Sequence, residues 1–297
     1  MKVGASKRFV HLLRASMAGS ALVLLLLMAG VGQGAELKSR FAGFDGNKVH
    51  YLMSGKGDDA LIFVHGWTCN ADFWRGQLRA FSTIPAIAVD LPGHGQSDKP
   101  RTDYTMAYFA RSIEAVMRDA GVKRGVLVGH SMGTPVVRQF YRLYPEKTLG
   151  LVIVDGALRL FMPPAQMEAF AAQLRADYKT AGAQMIDGML TPVKDEKLKS
   201  EIRAAMLSTP DYVALSAMTG MADQKIYEQD QIKVPVLAVM AKSPFWAADT
   251  ESFMRSLAPD LEFHMWEGVS HFLMMEKADE FNRTLQAFLV KHKLLAR

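Results

Sequence analysis

The chain has 297 residues, of which 49% are hydrophobic and 22% charged, and its formal net charge is +5. Four of its 35 Lys and Arg residues fall within the first 34 positions, which hold no Asp or Glu, so the remainder carries 31 cations against 30 anions. This length suffices for one large hydrophobic core, or one core with a cap, and the near-neutral remainder gives no indication of nucleic-acid binding. The single cysteine, Cys69, excludes an intrachain disulfide.

The first 34 residues have the organisation of a signal peptide. An apolar run over residues 17–31 follows four cations, which are Lys2, Lys7, Arg8 and Arg14. Gly32-Gln33-Gly34 then places small residues where a signal peptidase reads them, so we expect cleavage before Ala35 and export to the periplasm or the medium. An uncleaved anchor is the alternative, but the apolar run is shorter than the roughly 20 residues of a spanning helix. We therefore expect no stable membrane span after cleavage.

Short apolar segments recur from residue 41 onward. Residues 41–44 and 48–53 predict two strands joined by the hairpin turn Asp45-Gly46-Asn47. Six further runs rich in Val, Ile and Leu are typical of strands buried on both faces of a parallel sheet: residues 61–64, 86–89, 126–128, 149–154, 234–240 and 261–266. Helical patterns occupy residues 71–82, 104–120, 134–143, 250–257 and 278–295. The alternation favours an α/β fold with a mostly parallel, doubly wound sheet.

One spacing interrupts this alternation. About 80 residues separate the strand ending at Val154 from the strand starting at Val234, more than a single crossover needs. Pro163-Pro164 opens the stretch, and helices are predicted over residues 166–180, 183–190 and 194–207. Seven methionines fall within it: Met162, Met167, Met185, Met189, Met206, Met218 and Met221. Methionine suits an adaptable apolar pocket, although most of these residues also suit ordinary packing between helices.

Gly129-His130-Ser131-Met132-Gly133 directly follows the run Val126–Val128 and precedes a helical pattern. A Gly-x-Ser-x-Gly sequence between a strand and a helix predicts a sharp turn that holds the serine hydroxyl clear of the sheet. The N–H of Met132, the next residue, is then free to bind an oxyanion. The pattern predicts Ser131 as a nucleophile.

A nucleophilic serine needs a base, and His271 is the candidate. It lies in the loop after the strand over residues 261–266 and just before the last helix. The other histidines fall in the leader, in predicted strands or the terminal helix, at the variable position of the elbow, or in glycine-flanked loops: His11, His50, His65, His94, His130, His264 and His292. His65 and His94 are more typical of residues that shape a turn.

These features resemble the α/β-hydrolase fold family over about residues 40–295. Leu61-Ile62-Phe63-Val64-His65-Gly66-Trp67 looks like the family's strand and oxyanion loop, and residues 90–97 look like its Asp-x-Pro-Gly-x-Gly-x-Ser loop. The elbow and Gly268-x-x-His271 follow in the expected order. With the leader over residues 1–34 taken as a signal peptide, the resemblance implies a core over 35–155 and 232–297 and an inserted helical cap over 156–231. It also implies Trp67 N–H as the second oxyanion donor and a mechanism that uses no metal and no cofactor.

The acid of the triad is the point where the sequence departs from the family's commonest pattern. Many relatives carry Gly-x-x-Asp after the strand that corresponds to residues 234–240, but this chain has Ala241-Lys242-Ser243-Pro244-Phe245-Trp246. Asp155, at the end of the preceding strand, and Asp249, later in the same loop, are the two substitutes. Rigid mounting at a strand end favours Asp155, because the acid must fix the imidazole tautomer.

The sequence therefore predicts an exported serine hydrolase that cleaves a small to medium apolar ester through Ser131, His271 and Asp155. Serine at position 131 argues against dehalogenase and epoxide-hydrolase chemistry, which use an aspartate at the elbow. Carbon–carbon bond, lactone and amide hydrolysis stay open on the same residues. A non-catalytic binding protein is the remaining alternative, supported only by the absent Gly-x-x-Asp.

Overall fold

A computed structural model of the protein describes Met1 and residues 37–160 and 162–295. Apart from Met1, the expected signal peptide and its cleavage point lie outside the described residues. No helix within these ranges is both long enough and apolar enough to cross a bilayer.

Eight strands of the described chain form one sheet. They are β1 (Lys38–Phe44), β2 (Asn47–Ser54), β3 (Asp59–Val64), β4 (Ala86–Val89), β5 (Arg124–His130), β6 (Thr148–Val154), β7 (Val236–Ala241) and β8 (Leu261–Trp266). Their spatial order is β1-β2-β4-β3-β5-β6-β7-β8. Strand β2 runs antiparallel to both neighbours, and every other neighbouring pair is parallel. The expected mostly parallel sheet of an α/β fold is confirmed.

Strands β3 to β7 are buried along nearly their whole length. Their side chains are mainly Val, Ile, Leu and Ala on both faces, which is the composition that a sheet covered on both sides requires. The helices are α1 (Arg75–Ala80), α2 (Met106–Ala120), α3 (Gly133–Leu143), α4 (Pro164–Ala176), α5 (Tyr178–Leu190), α6 (Glu196–Leu207), α7 (Asp211–Ala222), α8 (Thr250–Leu257), α9 (Leu273–Glu276) and α10 (Ala278–Lys291).

The first hairpin has a two-residue loop, one residue shorter than the turn Asp45-Gly46-Asn47 that its sequence indicates. Phe44 pairs with Asn47, which leaves Asp45 and Gly46 as the turn. Both have positive φ angles, 48° and 76°, and such angles give the turn a twist that matches the flanking strands. Aspartate and glycine tolerate this region better than most residues.

Four helices, α4 to α7, lie between β6 and β7, where the sequence indicates only three. Helix α7 was missed because it is apolar around most of its circumference. Val213, Ala214, Ala217, Met218 and Met221 form its buried stripe, but Leu215 and Ala222 outside that stripe are also apolar, so the contrast between the two faces is too weak to show a helical period.

Two other helical segments differ from expectation. Residues 71–82 begin as a 3₁₀ helix (Ala71–Trp74) capped by the Asn70 side chain and continue as α1 only to Ala80. The last helix ends at Lys291 and is preceded by the short α9. Neither difference alters the order of the strands.

Candidate active site

Ser131 occupies the turn between β5 and α3. Its φ angle is +53°, a left-handed conformation that non-glycine residues adopt rarely and that clusters at functional sites. The turn requires glycine at both flanks: a Cβ on Gly129 would collide with the backbone of Gly133, and one on Gly133 would lie 2.5 Å from the carbonyl oxygen of Val64. The structure thus gives Ser131 the strained strand-to-helix setting that its motif indicates.

His271 and Asp155 lie side by side. Nδ1 of His271 is 2.6 Å from Oδ2 of Asp155, and the aspartate side chain is 6% exposed while the histidine side chain is 22% exposed. Asp155 directly follows β6 and also has a positive φ, 43°. Its backbone N–H donates to the carbonyl of Val239 in the neighbouring strand, so the carboxylate has a rigid mounting.

The other oxygen of Asp155 is held by the loop that follows β7. Oδ1 accepts hydrogen bonds from the Ala241 N–H at 2.8 Å and from the indole Nε1–H of Trp246 at 3.0 Å. The alternative acid, Asp249, instead pairs with Arg159, and its side chain is 61% exposed. This ion pair lowers the pKa of Asp249. The structure therefore brings Asp155, and not Asp249, to His271.

The backbone around His271 is fixed from two sides. Nε2 of His130 lies 2.9 Å from the carbonyl oxygen of His271, so Nε2 carries the proton and donates it. Burial and the neighbouring His271 ring hold the pKa of His130 well below its usual value, which keeps His130 neutral. On the other side, the Glu276 carboxylate accepts hydrogen bonds from both the backbone N–H and the hydroxyl of Ser270.

The expected oxyanion donors, Trp67 and Met132, belong to segments next to Ser131: Met132 follows it directly, and a Cβ added to Gly66, the residue before Trp67, would lie 3.1 Å from the Ser131 Cβ. Both residues line the same cavity as the serine. Within residues 37–160 and 162–295, neither amide N–H donates a hydrogen bond, so both are available to a ligand oxygen. His65 supports the Trp67 loop: its Nδ1 lies 2.8 Å from the Gly66 carbonyl, and its Nε2 accepts from the Leu91 N–H at 3.1 Å.

The Trp67 loop is also bound to the helical insertion. The indole of Trp67 donates to the carbonyl of Ala214 in α7 at 2.8 Å. The hydroxyl of Thr209, just before that helix, donates to the carbonyl of Thr68 at 3.0 Å. Two long-range hydrogen bonds thus join the Trp67 loop to the insertion over the site.

A cavity of about 610 Å³ opens above Ser131 and His271. Six of the seven methionines noted in the sequence line it: Met162, Met185, Met189, Met206, Met218 and Met221. Met167 is buried elsewhere. Most of these methionines therefore form the wall of a pocket, where the sequence favoured ordinary helix packing for the majority. A flexible thioether wall fits apolar groups of varied shape.

Cys69 also lines the cavity, but its chemistry is different from that of Ser131. Burial raises its pKa far above the usual value for a thiol, so it stays protonated at neutral pH. Among the described residues, no three His, Cys, Asp or Glu side chains cluster as metal ligands.

Comparison with known proteins places this geometry in a family. The sequence model of the α/β-hydrolase fold matches residues 59–189, which contain the Trp67 loop, the Ser131 turn and Asp155. A solved structure described as that of a thermophilic esterase is 28% identical, covers 86% of this chain and 99% of its own, and superposes with a TM-score of 0.69. The chain belongs to the α/β-hydrolase fold superfamily.

Two curated relatives of this α/β hydrolase differ in the extent of their match. A dihydrolipoyllysine-residue acetyltransferase component of an acetoin cleaving system from Cupriavidus necator is 34% identical over 117 residues, which are 39% of this chain and only 31% of that protein. The match to this relative thus spans about a third of its length. A 2-hydroxy-6-oxononadienedioate/2-hydroxy-6-oxononatrienedioate hydrolase from Paraburkholderia phymatum is 27% identical over 268 residues, 82% of this chain and 91% of that enzyme.

Two groups that contact the site of this α/β hydrolase are not predicted from the sequence, Trp246 and His130. Trp246 appears in the sequence only as the last residue of the segment that replaces Gly-x-x-Asp, and His130 only as the variable position of the elbow. Trp246 and its partner Asp155 are 91 residues apart in the sequence, and His130 and its partner His271 are 141 residues apart. No local pattern reports such contacts; the only available signal was that both residues adjoin recognised motifs.

Proposed function

We propose that this α/β hydrolase is a serine hydrolase that cleaves a small to medium apolar carboxylic ester through Ser131, His271 and Asp155. The observation that carries the proposal is the 2.6 Å contact between His271 and Asp155 at the floor of the cavity that Ser131 also lines. The esterase with 28% identity and full coverage of its chain supports the same reaction class.

In the proposed mechanism, Asp155 holds the proton of His271 on Nδ1, which leaves Nε2 free to accept the proton of the Ser131 hydroxyl. Ser131 then attacks the ester carbonyl, and the oxyanion accepts hydrogen bonds from the N–H groups of Trp67 and Met132. Protonated His271 passes its proton to the departing alcohol. Water, activated by the same imidazole, hydrolyses the acyl-enzyme and restores the serine.

The cavity lining supports an uncharged substrate. Of the cavity-lining residues in the described part of the chain, Lys242 alone carries a permanent positive charge. Its ammonium group already pairs with Glu267 at 2.6 Å, and its side chain is 64% exposed. A dicarboxylate such as the one named for the Paraburkholderia relative would place a second anion against a methionine wall, where an unpaired charge is costly. Carbon–carbon bond hydrolysis of such a compound is therefore the second candidate.

Export is part of the proposal and is supported only by the basic and apolar sequence of residues 1–34. Mass spectrometry of the protein recovered from its native host tests it. We expect an N-terminus near Ala35, whereas an intact Met1 in the cytoplasmic fraction contradicts export.

The experiment for the reaction combines a covalent probe with a substrate panel. A fluorophosphonate should label the wild-type protein and the Ser256→Ala control, which changes an exposed serine in α8, but not Ser131→Ala. p-Nitrophenyl esters of increasing acyl length should be hydrolysed faster than a lactone, an amide or a 2-hydroxy-6-oxo-dienedioate. Labelling of Ser131→Ala would overturn the nucleophile, and a preference for the dienedioate would replace ester hydrolysis by the second candidate.

A further inference from the structure

Asp155 is surrounded by three N–H donors, and they come from different elements. His271 approaches Oδ2, while Ala241 and Trp246 approach Oδ1. The Ala241 donor is a backbone group at the end of β7. The Trp246 donor is a side chain, and it is the member of this set that a substitution removes without altering the backbone or the proposed triad.

Trp246 is presented by a tight turn after β7. Its backbone N–H donates to the carbonyl of Ser243 at 3.2 Å, and the partly buried ring packs edge-on against Phe245, with the centroids 4.9 Å apart. The indole also lines the cavity. One side chain therefore contacts both the substrate space and the carboxylate that orients His271.

This turn occupies the position at which many relatives carry the acid itself. Here the acid is at the end of β6, and the loop after β7 supplies hydrogen-bond donors to it. A carboxylate can rotate about its Cβ–Cγ bond at little cost, because this torsion has broad minima. Two donors on one oxygen and one on the other restrict that rotation. They also give both oxygens a hydrogen-bond partner in a side chain that is almost completely buried.

We propose that Trp246 is a positioning residue that holds the Asp155 carboxylate in line with His271 through its indole N–H. The inference rests on the proposed function, because it assigns Trp246 a part in the same reaction. The residue acts through Asp155 and takes no proton itself.

The test compares Trp246→Phe, which keeps an aromatic ring but removes the N–H, with Trp266→Phe. The latter makes the same chemical change at the end of β8, in a residue that does not line the cavity. We expect kcat to fall roughly tenfold in Trp246→Phe, which corresponds to the lower end of a hydrogen bond to a charged group, with KM changed by less than about twofold. Trp266→Phe should match the wild-type enzyme.

The pH profile separates positioning from packing. With one donor fewer, the carboxylate directs more of its charge toward the imidazolium of His271 and stabilises it. The acidic limb of kcat/KM should therefore move to higher pH in Trp246→Phe. Loss of ring packing alone would change KM and leave this limb in place. In an Asp155→Asn background, Trp246→Phe should cause little further loss of kcat, because the indole acts only through the Asp155 carboxylate.

An NMR measurement tests the bond independently of turnover. The chain has four tryptophans, so four indole N–H signals are expected, and Trp246→Phe identifies one of them. That signal should lie downfield and should move in Asp155→Asn while the Trp266 signal does not. An unmoved signal, or kcat and pH profile equal to those of Trp266→Phe, overturns the inference. Should the wild-type enzyme hydrolyse no ester while the signal moves as expected, the proposed reaction fails but the contact stands.

Discussion

Replacement of Asp155 by asparagine keeps the size of the side chain but changes how it satisfies the three N–H groups around it. In one orientation, the amide oxygen accepts from Ala241 and Trp246, and its NH₂ group faces Nδ1 of His271. His271 must then accept at Nδ1 and carry its proton on Nε2, where it is unable to take the proton of Ser131. In the opposite orientation, His271 keeps its active tautomer, but the NH₂ group opposes two N–H donors.

The magnitude follows from those two opposed donors. Each unpartnered buried donor costs about 1–3 kcal/mol, so the inactive orientation is favoured by about 2–6 kcal/mol. The population of the active tautomer is then reduced by a factor between about 30 and about 3 × 10⁴. In a serine protease, the corresponding aspartate-to-asparagine change lowers kcat by about 10⁴. We expect a loss of kcat in this range, with the fold intact.

The assay is kcat on a p-nitrophenyl ester, with circular dichroism to confirm folding. Asp249→Asn is the matched control, because it makes the same change in an exposed residue paired with Arg159. Its effect should stay below about threefold, since exposed ion pairs contribute little. A large loss in Asp249→Asn together with near-normal activity in Asp155→Asn would refute this account of the acid.

Three further predictions concern the turn, the buried histidines and the cavity. Gly133→Ala should lower the free energy of unfolding by about 1–3 kcal/mol in urea titrations, because the added Cβ would lie 2.5 Å from the Val64 carbonyl oxygen; unchanged stability would contradict this. Burial and the neighbouring His65 lower the pKa of His94 to about 3 in the folded protein. Between pH 6.5 and 3, His94 is therefore protonated in the unfolded chain but not in the folded one. The free energy of unfolding should thus fall as pH decreases from 6.5 toward 3, by up to about 1.4 kcal/mol per pH unit. His94→Gln should reduce this dependence on pH, and an unchanged slope in the variant would contradict the role of His94. Met189→Ala should lengthen the preferred acyl chain, because it enlarges the cavity. We expect kcat/KM to increase about fourfold for each added methylene that gains apolar contact. An unchanged dependence on acyl length would exclude Met189 from the acyl pocket.

The fold could be predicted from the sequence because its signals are local. Each strand from β3 to β7 is a short apolar run, and the hairpin turn Asp45-Gly46 carries its own geometry in its residue types. Helix α7 was not predicted because a helical period requires a contrast between an apolar and a polar face, and apolar residues of this helix extend beyond its buried stripe. The strands can thus be recognised residue by residue in the sequence, whereas a helix with little contrast between its faces cannot.

In the candidate site, too, local motifs could be recognised in the sequence, whereas contacts between distant residues could not. Ser131 and His271 were indicated by short motifs, and their roles stay predictions. The choice between Asp155 and Asp249 could not be made locally, because it depends on which carboxylate reaches His271 and which meets Arg159, 90 residues away from Asp249. The donation from Trp246 depends on the turn at Ser243 and is equally invisible in the sequence.

The two hydrogen bonds from Trp67 to Ala214 and from Thr209 to Thr68 have a consequence for protein engineering. Removing the insertion between β6 and β7 is an obvious way to admit bulkier compounds to a roofed catalytic centre. In this chain the same excision would also release the loop that carries one of the two free amides beside Ser131. In the proposed mechanism that amide binds the oxyanion, so a trimmed enzyme would admit bulkier substrates but stabilise the transition state less. Broader scope must therefore be sought by substitutions within the roof that leave α7 in place.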